Sequence, residues 1–314
     1  MNPDLRSFLD GANECHARQP RHFADELLAR ASALPADEAG AEAVRWAEHV
    51  MLGHLADADA LRRFLESLRH PSSAGAAWLE ACARTQWALA AVSATMSTTQ
   101  VDARSAAELA APEAEPPSAP TLSDAARWRA LQNVVLALAW SGRTNEASAR
   151  LRQDEAAATS HPDADARRAY AACANNVAQG LRDGPRGDCE RDALMLEAAT
   201  VARRAWAHAG NWLHVERADY QLARCHALLG HGAEALCAAH ACQAACMAHG
   251  ADADECFFAH EALWHAHRAG GDEVAATAER AHMQSLLADI ADAEMHAWCA
   301  QALAEIDAID GSRP

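Results

Sequence analysis

Along most of the chain apolar residues recur every three or four positions, in segments of about 15 to 25 residues rich in Ala, Leu, Arg and Glu. This is the period of an amphipathic helix, and no stretch alternates apolar and polar residues as a half-buried strand would. Gly, Pro and Asp punctuate the segments. With breaks around Pro20, Pro35 and Pro71, the pattern predicts helices over 3–17, 21–33, 37–54, 57–69 and 74–97. From 98 to 122 the composition turns to Ser, Thr, Glu and Pro, including Pro112, Pro116, Pro117 and Pro120, which predicts a linker or long loop. Helical periodicity resumes at 123. The expected organisation is therefore N-terminal helical hairpins over 1–97, the linker 98–122, helical repeats closed by a capping helix over 123–309, and a tail at 310–314.

The second part repeats. LALAWSGRTNEASARL at 136–151, ARCHALLGHGAEALCAAH at 223–240 and ALWHAHRAGGDEVAATAE at 262–279 each read as a helix, a small turn and a second helix. Gly142, Gly230 and Gly270 align at the turns, with a further turn, DGPRGD at 183–188, in the larger gap; the period is about 40 to 45 residues, in the range of helical-hairpin solenoids. Ala147, Ala235 and Ala275, each five residues past its glycine, let the second helix approach the first closely.

A turn glycine followed by this alanine resembles the tetratricopeptide repeat family, over roughly 123–309. ERADYQLARCHALLGHGAEAL followed by FFAHEAL is also similar to bacterial proteins carrying such repeats. The resemblance implies an all-α fold, an α-α superhelix of stacked antiparallel hairpins, acting as a non-catalytic protein or peptide scaffold through a concave groove lined by the first helix of each hairpin. Counting back from the turns at helical spacing places Arg129 and Gln132 on one such helix, Arg217, Tyr220 and Arg224 on the next, and Phe257, His260, Trp264 and His267 on a third. Asn175 and Asn176 join the candidate groove, since asparagine is a mediocre helix former. Arginine forks pair carboxylates and aromatic rings give rigid contact area, so an acidic segment or a free C-terminal carboxylate is the expected ligand. Trp264 is the tryptophan expected to be partly exposed. Met295 and Trp298, on an end helix, are read as a cap or a dimerisation face, which leaves the oligomeric state open.

Composition narrows the partners. The chain has 44 acidic against 27 basic side chains, a formal charge of -17, and no lysine at all. A field of that sign repels nucleic acid and anionic lipid. The N-terminus carries Asp4 and no apolar run of signal length, and no stretch of membrane-spanning length is free of charge, so the expected location is the cytoplasm, with neither nucleic acid nor membrane as partner. Ten cysteines set among helical alanines read as reduced thiols.

A second reading uses those thiols. Cys242, Cys246 and His249 fall on one helical stripe, and Cys256 opens the next helix, a donor set suited to zinc or copper(I), although no CxxC pair is present. His260 and His265 do not form a helical HExxH, because five residues set them about 140° apart. Glu261 and His265 read instead as an exposed local pair. No cofactor is otherwise expected. The absence of a nucleophile elbow or a phosphate-cradling glycine loop gives no catalytic residues, and a helical enzyme or small-molecule sensor is the third alternative.

Overall fold

The computed structural model describes residues 3–69, 71–94 and 122–311. Apart from Leu122, the expected linker lies outside the described residues, as do residues 312–314 of the tail. Among the described residues every regular element is helical, and no helix is long and apolar enough to cross a membrane. The chain divides into two compact units, Met1–Cys173 and Ala174–Pro314.

The first unit holds α1 (Pro3–Asp10), α2 (Ala12–Arg18), α3 (Pro20–Arg30), α4 (Glu38–Glu48), α5 (Ala58–Ser67), α6 (Ala76–Ser93), α7 (Asp124–Trp140), α8 (Thr144–Gln153) and α9 (Glu155–Thr159). Polar residues set the helix starts: the Asp37 carboxylate accepts from the Ala39 and Gly40 N–H groups, Asp57 from Ala60, and the Ser123 hydroxyl from Ala126, satisfying donors a first turn leaves without partners. Phe23, Leu27, Val44, Leu52, Leu61, Phe64 and Trp78 form the core. α7 is apolar on nearly every side and packs against both α6 and α8. Between α4, α6 and α7 lies a buried polar knot: the Glu48 carboxylate accepts from Arg84 and Asn133, each at 2.8 Å, and from Thr85 at 3.1 Å. A fully buried carboxylate is tolerated because each oxygen has a donor.

α4 does not end at Glu48. It passes into a π-helical turn, His49–His54, in which the Leu55 N–H reaches the Val50 carbonyl at 3.0 Å, a five-residue step.

The boundary between the units falls within α10 (Ala164–Asp183). The second unit continues with α11 (Cys189–Ala209), α12 (Trp212–Leu228), α13 (Gly232–His249), α14 (Ala253–Gly270), α15 (Glu273–Leu287) and α16 (Ala293–Gly311). Each helix packs on the next, and α12 also touches α14, so first helices of successive hairpins meet.

The three aligned turns share one geometry, with one correction. Gly142, Gly230 and Gly271 have φ of 74°, 74° and 78°, and the following N–H reaches back to Leu138, His226 and His267 at 2.8, 3.0 and 2.9 Å. The third left-handed residue is thus Gly271, not Gly270. The small buried residue five further on is Ala276, alongside Ala147 and Ala235, while Ala275 is only half-buried. Gly270 serves a different contact: a Cβ on Gly232 at the start of α13 would lie 2.7 Å from the Gly270 Cα, so the two helices cross backbone on backbone.

Candidate functional site

The second unit contains a groove of about 590 Å³ bordered by α10, α12, α14 and α16. α12 supplies its floor, because Arg217, Tyr220, Gln221 and Arg224 share one face at helical spacing. Phe258 from α14, Met295 and Trp298 from α16, and Leu228 from the end of α12 add an apolar wall. Trp298 is 62% exposed and Leu228 45%, large apolar surface left in water beside a concavity.

The charges of the floor are largely paired. The Arg217 guanidinium bonds Glu255, its Nε 3.1 Å from Oε1, and Arg182 donates to Gln221 Oε1 at 2.6 Å. Arg224 pairs with Glu261 and donates to the Tyr220 hydroxyl at 2.6 Å; that hydroxyl donates to Glu261 at 2.9 Å. Burial opposes ionisation of Glu261, but the hydrogen bond from His265 and the charge of Arg224 outweigh it and hold the carboxyl at about 2. The pair of Glu261 with His265 is present at 3.6 Å, but Glu261 is buried, contrary to the exposed position expected for it.

Three polar atoms of groove-lining residues are buried without a hydrogen-bond partner: Arg224 Nε, Gln221 Nε2 and Glu216 Oε2. These atoms lie beneath the groove surface rather than on it, and similar unpartnered atoms occur elsewhere among the described residues, at Arg127 Nε and Arg150 Nε for example.

Asn175, Arg217, Tyr220 and Arg224 line this groove as expected from the sequence. The other candidates lie elsewhere. Arg129 and Gln132 belong to the first unit, where Arg129 bonds Asp165 at 2.7 and 2.8 Å and Gln132 is half-buried. Asn176 is exposed off the groove. Phe257 and Trp264, expected on the groove, are core residues packed with Met283, Cys299 and Ile306. His260 bonds Glu279 on α15 and stacks on His282, while His267 is half-buried off the groove, with its Nδ1 unpartnered. The α14 stripe is displaced by one residue because it was counted from Gly270; counting from Gly271 gives Phe258 and Glu261, the residues that line the groove. The sequence reading did not place Glu255 or Glu261 on the groove: Glu261 was expected only as a local partner of His265, and acids at the start of a helix, such as Glu255, read as complements to its dipole.

Of the thiol set, Cys242 and Cys246 come together with Glu216, their ligand atoms within 4.8 Å of one another. All three side chains are buried, and the Cys242 thiol donates to Glu216 Oε1 at 2.7 Å. Burial raises the Glu216 carboxyl to about 8, so it keeps its proton at neutral pH. Cys242 is pushed up by its hydrogen bond with Cys246 and by burial. His249 does not join this group: it is exposed and stacks on Trp212 at 4.5 Å between ring centroids. Cys256 donates to the Ala251 carbonyl at 3.7 Å. Of the expected set, Cys242 and Cys246 therefore lie together around Glu216 with Cys256 packed against them, and His249 does not join.

A second cluster, in the first unit, was not foreseen. One ring nitrogen from each of His16, His49 and His54 lies within 4.8 Å of the others. His49 and His54 are five residues apart, on opposite faces of an α-helix, but the π turn sets them on one side, Nε2 to Nε2 at 3.2 Å. Desolvation and the other two imidazoles lower His54 to about 4; burial lowers His49.

No protein-family profile matches the chain, and no curated protein shows significant similarity to it.

Proposed function

We propose that the second unit is a short tetratricopeptide-like solenoid that binds, without catalysis, a segment of another protein in its groove. The observation that carries this reading is the groove itself, whose lining sets the exposed apolar surface of Trp298 and Leu228 beside the polar side chains of Arg217, Tyr220 and Arg224. Arg217, whose side chain is 61% exposed, puts a guanidinium group in the lining, which suits a main-chain carbonyl or a C-terminal carboxylate oxygen of an extended segment. The apolar wall suits a large side chain of the same segment, since exposed tryptophan at the rim of a concavity is the residue type that dominates interface energetics. Arg217 and Arg224 are already paired with Glu255 and Glu261, so the ligand needs an apolar anchor with one acceptor group rather than a run of acidic residues.

Selection of a displayed peptide library with free C-termini against the full chain tests this. Enriched peptides are expected to share a large apolar residue near the C-terminus and to lose at least about tenfold in affinity on Trp298→Ala, a truncation of about 1.4 kcal/mol or more at a surface position that leaves the fold intact. Failure to enrich any sequence, or equal binding by the Trp298→Ala and Gln221→Ala proteins, contradicts the reading.

A further inference from the structure

We propose that His16, His49 and His54 form a three-imidazole binding site for a divalent transition-metal ion of the zinc type. The three rings come from two pieces of chain, α2 for His16 and the two ends of the π turn for His49 and His54. Their centroids are 4.8 to 5.3 Å apart, and Trp46 closes one side at 4.7 Å from His16 and 5.9 Å from His49.

The tautomers are set by partners that can only accept. His16 Nδ1 is 2.8 Å from the Ala12 carbonyl and so carries a proton that it donates there. His49 Nδ1 is 3.1 Å from Asn133 Oδ1; the Asn133 amide donates to Glu48 Oε1 at 2.8 Å, which fixes its orientation, so His49 Nδ1–H is also the donor. In both rings Nε2 is thereby the unprotonated nitrogen; that of His49 accepts from His54 Nε2–H at 3.2 Å, a proton that a bound ion would displace. Outer-shell carbonyl and amide oxygens that hold Nδ1–H and aim Nε2 are the usual support of metal-binding histidines. The support is itself rigid: Asn133 and Glu48 are both fully buried, in the knot with Arg84 and Thr85.

The spacing of the His49–His54 pair agrees with the assignment, and the His16 nitrogen lies within 4.8 Å of both. Zn–N bonds of about 2.0 to 2.1 Å in a tetrahedron put two nitrogens about 3.3 Å apart. His49 Nε2 and His54 Nε2 are 3.2 Å apart. Backbone supplies the room: a Cβ on Gly53 would lie 2.8 Å from Asn133 Oδ1 and 3.4 Å from His49 Nδ1, so only glycine lets the turn close over the asparagine, and its carbonyl is pinned by Trp140 Nε1 at 3.1 Å. Borderline nitrogen donors select zinc, copper(II), nickel or cobalt over magnesium and calcium, and His54 is exposed, which gives the ion a way in. Three imidazoles leave a fourth position for water or an exogenous ligand.

The test is titration calorimetry with zinc chloride on the tag-free full chain after chelator dialysis, paired with the visible spectrum of the cobalt(II) form. The expected result is one ion per chain, nitrogen-type cobalt bands without a thiolate charge-transfer band, and a loss of at least about 100-fold in affinity for His54→Ala and for His16→Ala. Cys242→Ser/Cys246→Ser is expected to bind as the wild type does. Absence of stoichiometric binding, unchanged affinity in both histidine variants, or a thiolate band that disappears with the cysteines overturns the proposal. His54→Ala changes an exposed side chain, so its fold is expected to survive, and a circular dichroism melt equal to that of the metal-free wild type shows that a lost affinity reflects a lost ligand.

Discussion

At the scale of single residues, both units place ionisable side chains where water is scarce, and what decides each one is its donors. Arg84 reaches Glu48, and Arg224 reaches Glu261 and helps hold that carboxyl ionised. At Glu216 the donor is a cysteine thiol rather than a guanidinium, and the Glu255 carboxyl lies beside it. Burial raises this carboxyl from the ordinary 4.5 to about 8. Between these two values the unfolded chain has released a proton that the folded chain retains, so stability falls as pH rises through this window. The cost above pH 8 is on the order of a few kcal/mol. Glu216→Gln, which keeps the shape and removes the titration, is expected to match wild type in urea denaturation at pH 5 and to exceed it by about 2 kcal/mol at pH 8. Identical pH profiles for the two proteins would mean that Glu216 is ionised in the fold.

Helices and turns were legible to different degrees. The breaks at Pro20, Pro35 and Pro71 gave helices within a few residues of α3 to α6, because proline restrictions are local and do not depend on packing. On α12, counting back from Gly230 identified Arg217, Tyr220 and Arg224. On α14 the Gly270-Gly271 pair offered two registers, and only the backbone tells them apart. Choosing the first exchanged Phe258 for Phe257 and put Trp264 in water when it lies in the core. The histidine cluster was illegible for another reason: a spacing of five excludes a shared face unless the helix widens, and nothing in HVMLGH announces a π turn. The two glycines of the third turn have separable roles. Gly271→Ala, at φ 78°, is expected to destabilise by about 1 to 2 kcal/mol. Gly270→Ala meets open space inside a helix and is expected to be neutral or to stabilise by up to about 1 kcal/mol. Gly232→Ala drives a methyl into the Gly270 backbone, with a loss of about 1 to 3 kcal/mol. Urea titration of the three variants checks the order; equal losses at Gly270 and Gly271 would contradict the assignment of the turn.

For the whole molecule, composition constrains the partner more than the fold does. A formal charge of -17 makes the approach of polyanions unfavourable at long range, and the groove does not reverse this, because its arginines are matched by Glu255, Glu261 and neighbouring acids. What the groove offers is local: the exposed apolar surface of Trp298 and Leu228 beside polar side chains that are already paired. Hydrogen–deuterium exchange on the full chain, with and without a library-selected peptide at saturation, tests this account most directly. Protection confined to the segments 175–183, 212–228, 253–270 and 293–311 is the predicted result. Protection centred on the first unit, or none on α12 and α16, would contradict it.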